Sequence, residues 1–238
     1  MRKTEDYLVD LSATPDKHIP AAIAEKVFNL VWRFDFTAPG FCLLDMGTGV
    51  ASHDLRSRML TLKERLSEIA ERRTGRRLVC RSVGRFDQQE TTKFHLDGAP
   101  AESLLMLGYE PSQVRSGMYL GDYTCAAFNR GITPQKFLDD LNPMYRRGEE
   151  ALSGYVTELP SAAEGHSRIL LVNNSSLPFS EARTNPLGVM HKAEIINPTE
   201  AERRIVNSMM LVVSETDEIS REQQQEFVAT EKINQKVY

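Results

Sequence analysis

The chain has little cysteine, no long apolar run and no excess of positive charge. Its three cysteines, Cys42, Cys80 and Cys125, are spread along 238 residues. They are too few and too scattered for a disulfide framework or a zinc knuckle, and are expected to be buried thiols in a reducing compartment. The longest apolar runs, Leu104-Leu105-Met106-Leu107 and Met209 to Val213, are far too short to span a bilayer. Met1-Arg2-Lys3-Thr4-Glu5-Asp6 is not followed by an apolar stretch, so no signal peptide and a cytoplasmic location are expected. A formal net charge of −4 leaves no electrostatic footprint for nucleic acid or an anionic membrane. What remains, 41% hydrophobic and 26% charged residues, is the balance of an ordinary soluble globular protein.

The order of signals divides the chain. Residues 1–75 read as a helical and mixed flank. A polar lead-in with Pro15 and Pro20 carries one edge strand at Tyr7 to Leu11. A helix from Pro20 places Ile23, Val27, Leu30 and Val31 at helical spacing. A second, His53 to Arg72, sets Leu55, Met59, Leu62, Leu66 and Ile69 on one face. Residues 76–214 read as a strand-rich core, with strands at Leu78 to Val83, Leu104 to Gly108, Gly117 to Phe128 (with Tyr119, Tyr123 and Cys125), Arg168 to Asn174, Gly188 to Ile196 and Arg203 to Val213. Between them, Arg85 to Glu90 reads as a polar loop and Thr133-Pro134 opens a short helix. Residues 144–167 read as a loop-rich insertion with a strand near Tyr155 to Thr157, and 175–187 as loop. Residues 215–238 read as a polar surface helix or partly disordered tail. Many short strands with helices ahead of them predict a mainly β fold, a double-stranded β-helix or jelly roll with flanking helices.

One stretch in the core carries chemistry. Thr91-Thr92-Lys93-Phe94-His95-Leu96-Asp97-Gly98 sets a histidine and a carboxylate two apart, on the same side if the segment is extended. His191 offers a third ligand. Two histidines and one carboxylate form the facial triad of non-haem Fe(II) oxygenases, with positions left open for co-substrate and O2. His18, His53 and His166 fall in expected loops or at helix ends and compete poorly.

In order and spacing, His95-x-Asp97, His191 and an arginine soon afterwards on the final strand resemble the iron(II)- and 2-oxoglutarate-dependent oxygenases, among them the phytanoyl-CoA hydroxylase-like branch. The resemblance covers a little over half the chain. It implies His95, Asp97 and His191 as catalytic iron ligands, and Fe(II), 2-oxoglutarate and O2 as cofactor and co-substrates. It also implies a basic residue pairing the distal carboxylate of 2-oxoglutarate, a task that suits the planar fork of arginine. Arg203 and Arg204 compete for that role and would point oppositely on a strand. Arg204 with Ser208 is preferred over Arg203 with Asn207. The implied reaction is hydroxylation of a small-molecule C–H with decarboxylation of 2-oxoglutarate to succinate; the carboxylate at Asp97 argues against halogenation. Substrate contacts are expected in 144–167 and 175–187, while substrate identity and oligomeric state stay open.

Three other readings stand beside this one. A cupin-type β-barrel would bind a metal or small ligand without 2-oxoglutarate, and neither Arg203 nor Arg204 would point into it. Asp45-Met46-Gly47-Thr48-Gly49 after an apolar strand resembles the nucleotide-cradling turn of an S-adenosylmethionine-dependent methyltransferase, which needs a parallel sheet. An interaction protein would associate through its Glu- and Gln-rich C-terminal segment.

Overall fold

Apolar residues at period two build two facing sheets, seen in a computed structural model that describes residues 3–13 and 19–234. Pro15, His18 and the last four residues of the expected tail lie outside the described residues. The strands are β1 (Leu8–Asp10), β2 (Phe41–Thr48), β3 (Leu78–Asp87), β4 (Ser103–Tyr109), β5 (Ser116–Gly121), β6 (Val156–Glu158), β7 (His166–Asn173), β8 (Met190–Ile195) and β9 (Ile205–Val213). A six-stranded sheet runs β1-β2-β7-β4-β9-β3, and a three-stranded sheet runs β6-β5-β8. From β3 onward the chain passes back and forth between them. Residues 91–97 join the smaller sheet beside β8 through paired hydrogen bonds between His95 and His191 and one from Thr92 N–H to Ala193 O. The order β3-β9-β4-β7 therefore faces 91–97, β8, β5 and β6, all antiparallel, which is a double-stranded β-helix.

The larger sheet is covered on both faces, and its central strands are accordingly apolar almost throughout. On the outer face, Leu104, Met106, Ile169, Leu171, Met209 and Leu211 pack under α1 (Ala21–Val31) and α2 (Ser52–Thr74). On the inner face, Leu105, Leu107, Leu170, Val172 and Met210 meet Leu120 and Val189 of the smaller-sheet side. α2 lies so close to β4 that a Cβ at Gly108 would sit 2.5 Å from Met59 Sδ, so the bare backbone there sets the helix-to-sheet distance.

Several sequence expectations change. β3 does not stop at Val83 but continues to Asp87, because Arg85 and Phe86 pair with Asn207 and Val206 across β9. Tyr123 and Cys125 lie not on a strand but on α3 (Tyr123–Asn129), which Asp122 caps by accepting the Cys125 N–H. Cys125 is half-buried, whereas Cys42 and Cys80 are fully buried, their thiols pushed up to about 12 by loss of hydration. α4 (Pro134–Asp140) begins at Thr133-Pro134 as expected. The 144–167 insertion contains a helix, α5 (Arg146–Leu152), anchored by buried Leu152. Arg203 and Arg204 precede β9, and His95 makes a single bridge instead of lying in a full strand. The strand that carries Asp45 to Thr48 pairs in parallel with the three-residue edge strand β1 but antiparallel with β7, with a bulge between Asp45 and Thr48. Every other pairing of the larger sheet is antiparallel, so the parallel sheet a methyltransferase needs does not extend beyond that edge. Gly47, at φ 75°, takes a left-handed conformation, and its N–H bonds the Asp45 carboxylate.

The polar C-terminal segment folds back. α6 (Arg221–Ala229) buries Phe227 in the outer core. Arg56, with no exposed surface, donates to the carbonyls of Val228 and Thr230 at 3.1 and 2.8 Å. Arg85 donates to Glu231 O and holds Glu110 through two hydrogen bonds of 3.0 and 3.2 Å. Asn207 also donates to Glu110, at 2.9 Å. Burial works against the Glu110 carboxylate, but donors from Arg85, Ser52 and Asn207 outweigh it and hold its pKa below the usual range.

Candidate active site

The two sheets bring His95, Asp97 and His191 together. One ligand atom from each lies within 4.8 Å of the others. His191 sits on β8, where alternation turns it inward opposite Leu120. The bridge to His95 then fixes the two rings 4.2 Å apart between centroids. Asp97 follows as the chain turns away, and its backbone is gripped by Asn174, whose amide accepts the Asp97 N–H at 2.9 Å and donates to Asp97 O at 3.0 Å. His95 Nδ1 lies 2.7 Å from the Lys93 carbonyl, which accepts its hydrogen bond and orients the ring with Nε2 toward Asp97. That Nε2 is 3.3 Å from Asp97 Oδ1, and His191 Nε2 is 3.9 Å from the same oxygen.

The electrostatics fit a bound cation. Burial pushes His191 down to about 4, against the pull of Asp97, so it is neutral at physiological pH. Burial also opposes charge on Asp97, yet the His95 hydrogen bond and both imidazoles hold it below its ordinary value, as an anion. For His95 too burial opposes the charged form, but Asp97 and the Lys93 carbonyl outweigh it and raise its pKa. His191 Nδ1 is buried without a hydrogen-bond partner. An ionised carboxylate beside two imidazoles, one of them neutral and with a buried Nδ1 that has no partner, suits a divalent metal ligated by N and O donors.

The same three residues line a cavity of about 160 Å³ whose far wall holds Arg204, Tyr109 and Ser208. The Arg204 side chain is buried, and its Nε and one Nη donate to Ser116 Oγ and Gln88 O at 3.0 and 3.1 Å. Its guanidinium carbon lies 5.2 Å from the Tyr109 ring centre. No carboxylate lies within ion-pair distance of that guanidinium among the described residues; Asp87 instead accepts the Arg204 backbone N–H. Burial lowers the Arg204 pKa for that reason. A buried cation without a counter-charge is costly, and an anion entering the cavity would remove the cost. Arg203 is exposed, and Asn207 faces the opposite side of the sheet with Glu110. Ser208 is half-buried on the cavity wall. Tyr109, which the sequence did not single out, is half-buried beside Arg204, its phenol raised to about 12 by loss of hydration. Its only signal was a place at the end of an apolar strand just before a turn. Of the other histidines, His53 is exposed on α2 and His166 pairs with Asp45 at 2.7 Å, both away from the cluster.

No helix among the described residues is long and apolar enough to cross a membrane. No protein-family model matches the chain, and no curated protein matches it. Among solved structures it is similar to an asparagine oxygenase, AsnO, at 12% identity and a TM-score of 0.45, over 82% of this chain and 79% of that one. It is also similar to an iron and alpha-ketoglutarate-dependent endoperoxidase, NvfI, at 14% identity and a TM-score of 0.41, over 79% and 81%.

Proposed function

We propose that this chain is an Fe(II)- and 2-oxoglutarate-dependent oxygenase acting on a small molecule. One observation carries the reading: a ligand set of two histidines and a carboxylate and a buried guanidinium without a counter-ion face each other across one small cavity. His95, Asp97 and His191 would hold the metal. Arg204 would take the distal carboxylate of 2-oxoglutarate in a two-pronged hydrogen bond, with Ser208 on the same wall. Tyr109 packs against the guanidinium and keeps water from it. Fe(II) bound there would supply the activation of O2 coupled to decarboxylation of 2-oxoglutarate to succinate. The chain's own share is to hold three ligands, orient the co-substrate and keep the cavity dry. Hydroxylation of a substrate C–H is the outcome we assign. A cupin-type barrel without 2-oxoglutarate leaves the buried charge of Arg204 without a purpose.

The test is anaerobic titration of the protein with Fe(II) and then 2-oxoglutarate, followed by the visible charge-transfer band of the chelate. The band is expected in the parent protein, absent in His191→Ala, and shifted to higher 2-oxoglutarate in Arg204→Ala. Iron binding with no band at saturating 2-oxoglutarate would sink the reading.

A further inference from the structure

Behind Arg204 lies a second and larger chamber of about 400 Å³, at the end of the barrel away from the metal cluster. It is a partly open cavity lined by the turn after β4, the loop between β6 and β7 and the turn after β8. Arg204, Tyr109 and Met118 form the partition, each lining both cavities. The floor is apolar, with Leu43, Val114 and Leu159 all buried.

The walls are mostly positive. Arg204 and the exposed Arg115 have no carboxylate partner among the described residues. Arg168 braces the rim through the carbonyls of Pro160 and Ser161, at 2.6 and 2.8 Å, and lies 3.4 Å from Asp45 Oδ2. His166 turns its Nδ1 to Asp45, which leaves its other ring nitrogen for the chamber. Two acids line the chamber. Glu110 is committed to Arg85, and Glu164 is an exposed rim residue. Guanidinium groups around an apolar floor select a molecule with a carboxylate at one end and a hydrocarbon body.

We propose that this rear chamber is a second ligand site, for a small organic acid with an apolar body, distinct from the metal cavity and coupled to it through Arg204. The acid's carboxylate meets Arg204 from the rear, with Arg115 at the entrance, and its body lies on Leu43 and Leu159. Because one guanidinium serves both cavities, occupancy of one alters affinity in the other, and by linkage the effect is reciprocal. The chamber itself does not depend on the oxygenase reading; the coupling does, since that reading places 2-oxoglutarate on the front of Arg204.

The experiment uses hexanoate as probe and hexan-1-ol as its neutral counterpart, titrated into the metal-free protein by calorimetry. Saturable hexanoate binding is expected, at least ten-fold tighter than hexanol. Leu159→Trp, which fills the chamber, should abolish it, and the surface change Arg115→Glu should weaken it several-fold. Neither change should move the Fe(II) and 2-oxoglutarate titration more than two-fold, whereas hexanoate should raise the 2-oxoglutarate requirement of the parent protein. No hexanoate binding, equal binding of hexanol, or binding unaffected by both substitutions overturns the proposal. Hexanoate binding in a protein that gives no iron–2-oxoglutarate band retains the chamber and removes the oxygenase reading instead.

Discussion

The two sheets of this barrel share the candidate site but are built to different standards. The larger has six strands, apolar centres and helices over its outer face. The smaller has three short strands, and its fourth member, 91–97, joins it through the bridge at His95 and a few hydrogen bonds of Thr91 and Thr92. Arg204, the anchor proposed for a carboxylate, leads into the firm sheet, and the three candidate metal ligands belong to the loose one. Under that proposal, packing preorganises the anion-binding half, and the metal-binding half is completed by its ligand. The His95 and His191 rings lie in contact, 4.2 Å between centroids, and the buried Nδ1 of His191 has no hydrogen-bond partner among the described residues.

That contrast can be broken from either side. The largest effect is expected in the firm sheet: Leu171→Ala, at a fully buried position, should cost about 2–5 kcal/mol of global stability in a denaturant titration. His191→Ala should weaken Fe(II) binding at least a hundred-fold, about 2.8 kcal/mol, yet leave the unfolding midpoint of the metal-free protein almost unchanged. Equal losses in both measurements would show that the loose sheet carries fold stability after all. Saturating Fe(II), at a hundred times its dissociation constant, should stabilise the parent protein by about 2.7 kcal/mol. Hydrogen exchange should show added protection at the amides of Thr92, His95 and His191 against local opening, and in β4 and β9 only at amides that exchange through global unfolding. The smallest effect concerns the underside of the firm sheet. Glu110 has a depressed pKa when folded, so its stabilisation is complete above 4.5 and fades as pH falls through its folded value. Glu110→Gln should therefore cost about 1–2 kcal/mol at pH 7 and progressively less toward pH 3, read from midpoints across that range.

The firm sheet was also the part most legible in the sequence. Apolar runs such as Leu104 to Leu107 and Arg168 to Val172 identify strands buried on both faces, and α2 is plain from its stripe. Arg85 to Asp87 was obscured because its polar residues are satisfied from afar, by Glu110, Glu231 and the backbone of Arg204, which no local pattern discloses. Tyr123 and Cys125 have strand-like side chains, but the Asp122 cap decides for helix. At the site, His95, Asp97 and His191 could be nominated by residue type and order; their convergence could not, since it depends on pairing across nearly a hundred residues. The rear chamber was invisible for the same reason, being made of strand and loop residues from segments far apart in the chain.

The clasp of Arg56 on the C-terminal segment has a consequence in time. Arg56 and the Val228 carbonyl that it binds are 172 residues apart. At roughly 5–20 residues per second of synthesis, about 10–30 seconds separate the making of the cation from the making of its acceptors. Ser52, Glu110 and Asn207 accept from one Nη before then, but the guanidinium's Nε and other Nη must stay hydrated during that interval, because burying them would leave those donors unmet. The face of α2 that carries it cannot seat fully on the sheet until then. A nascent chain released early would thus keep part of its outer core open, marked for the quality-control machinery by the same apolar residues that close it in the finished molecule.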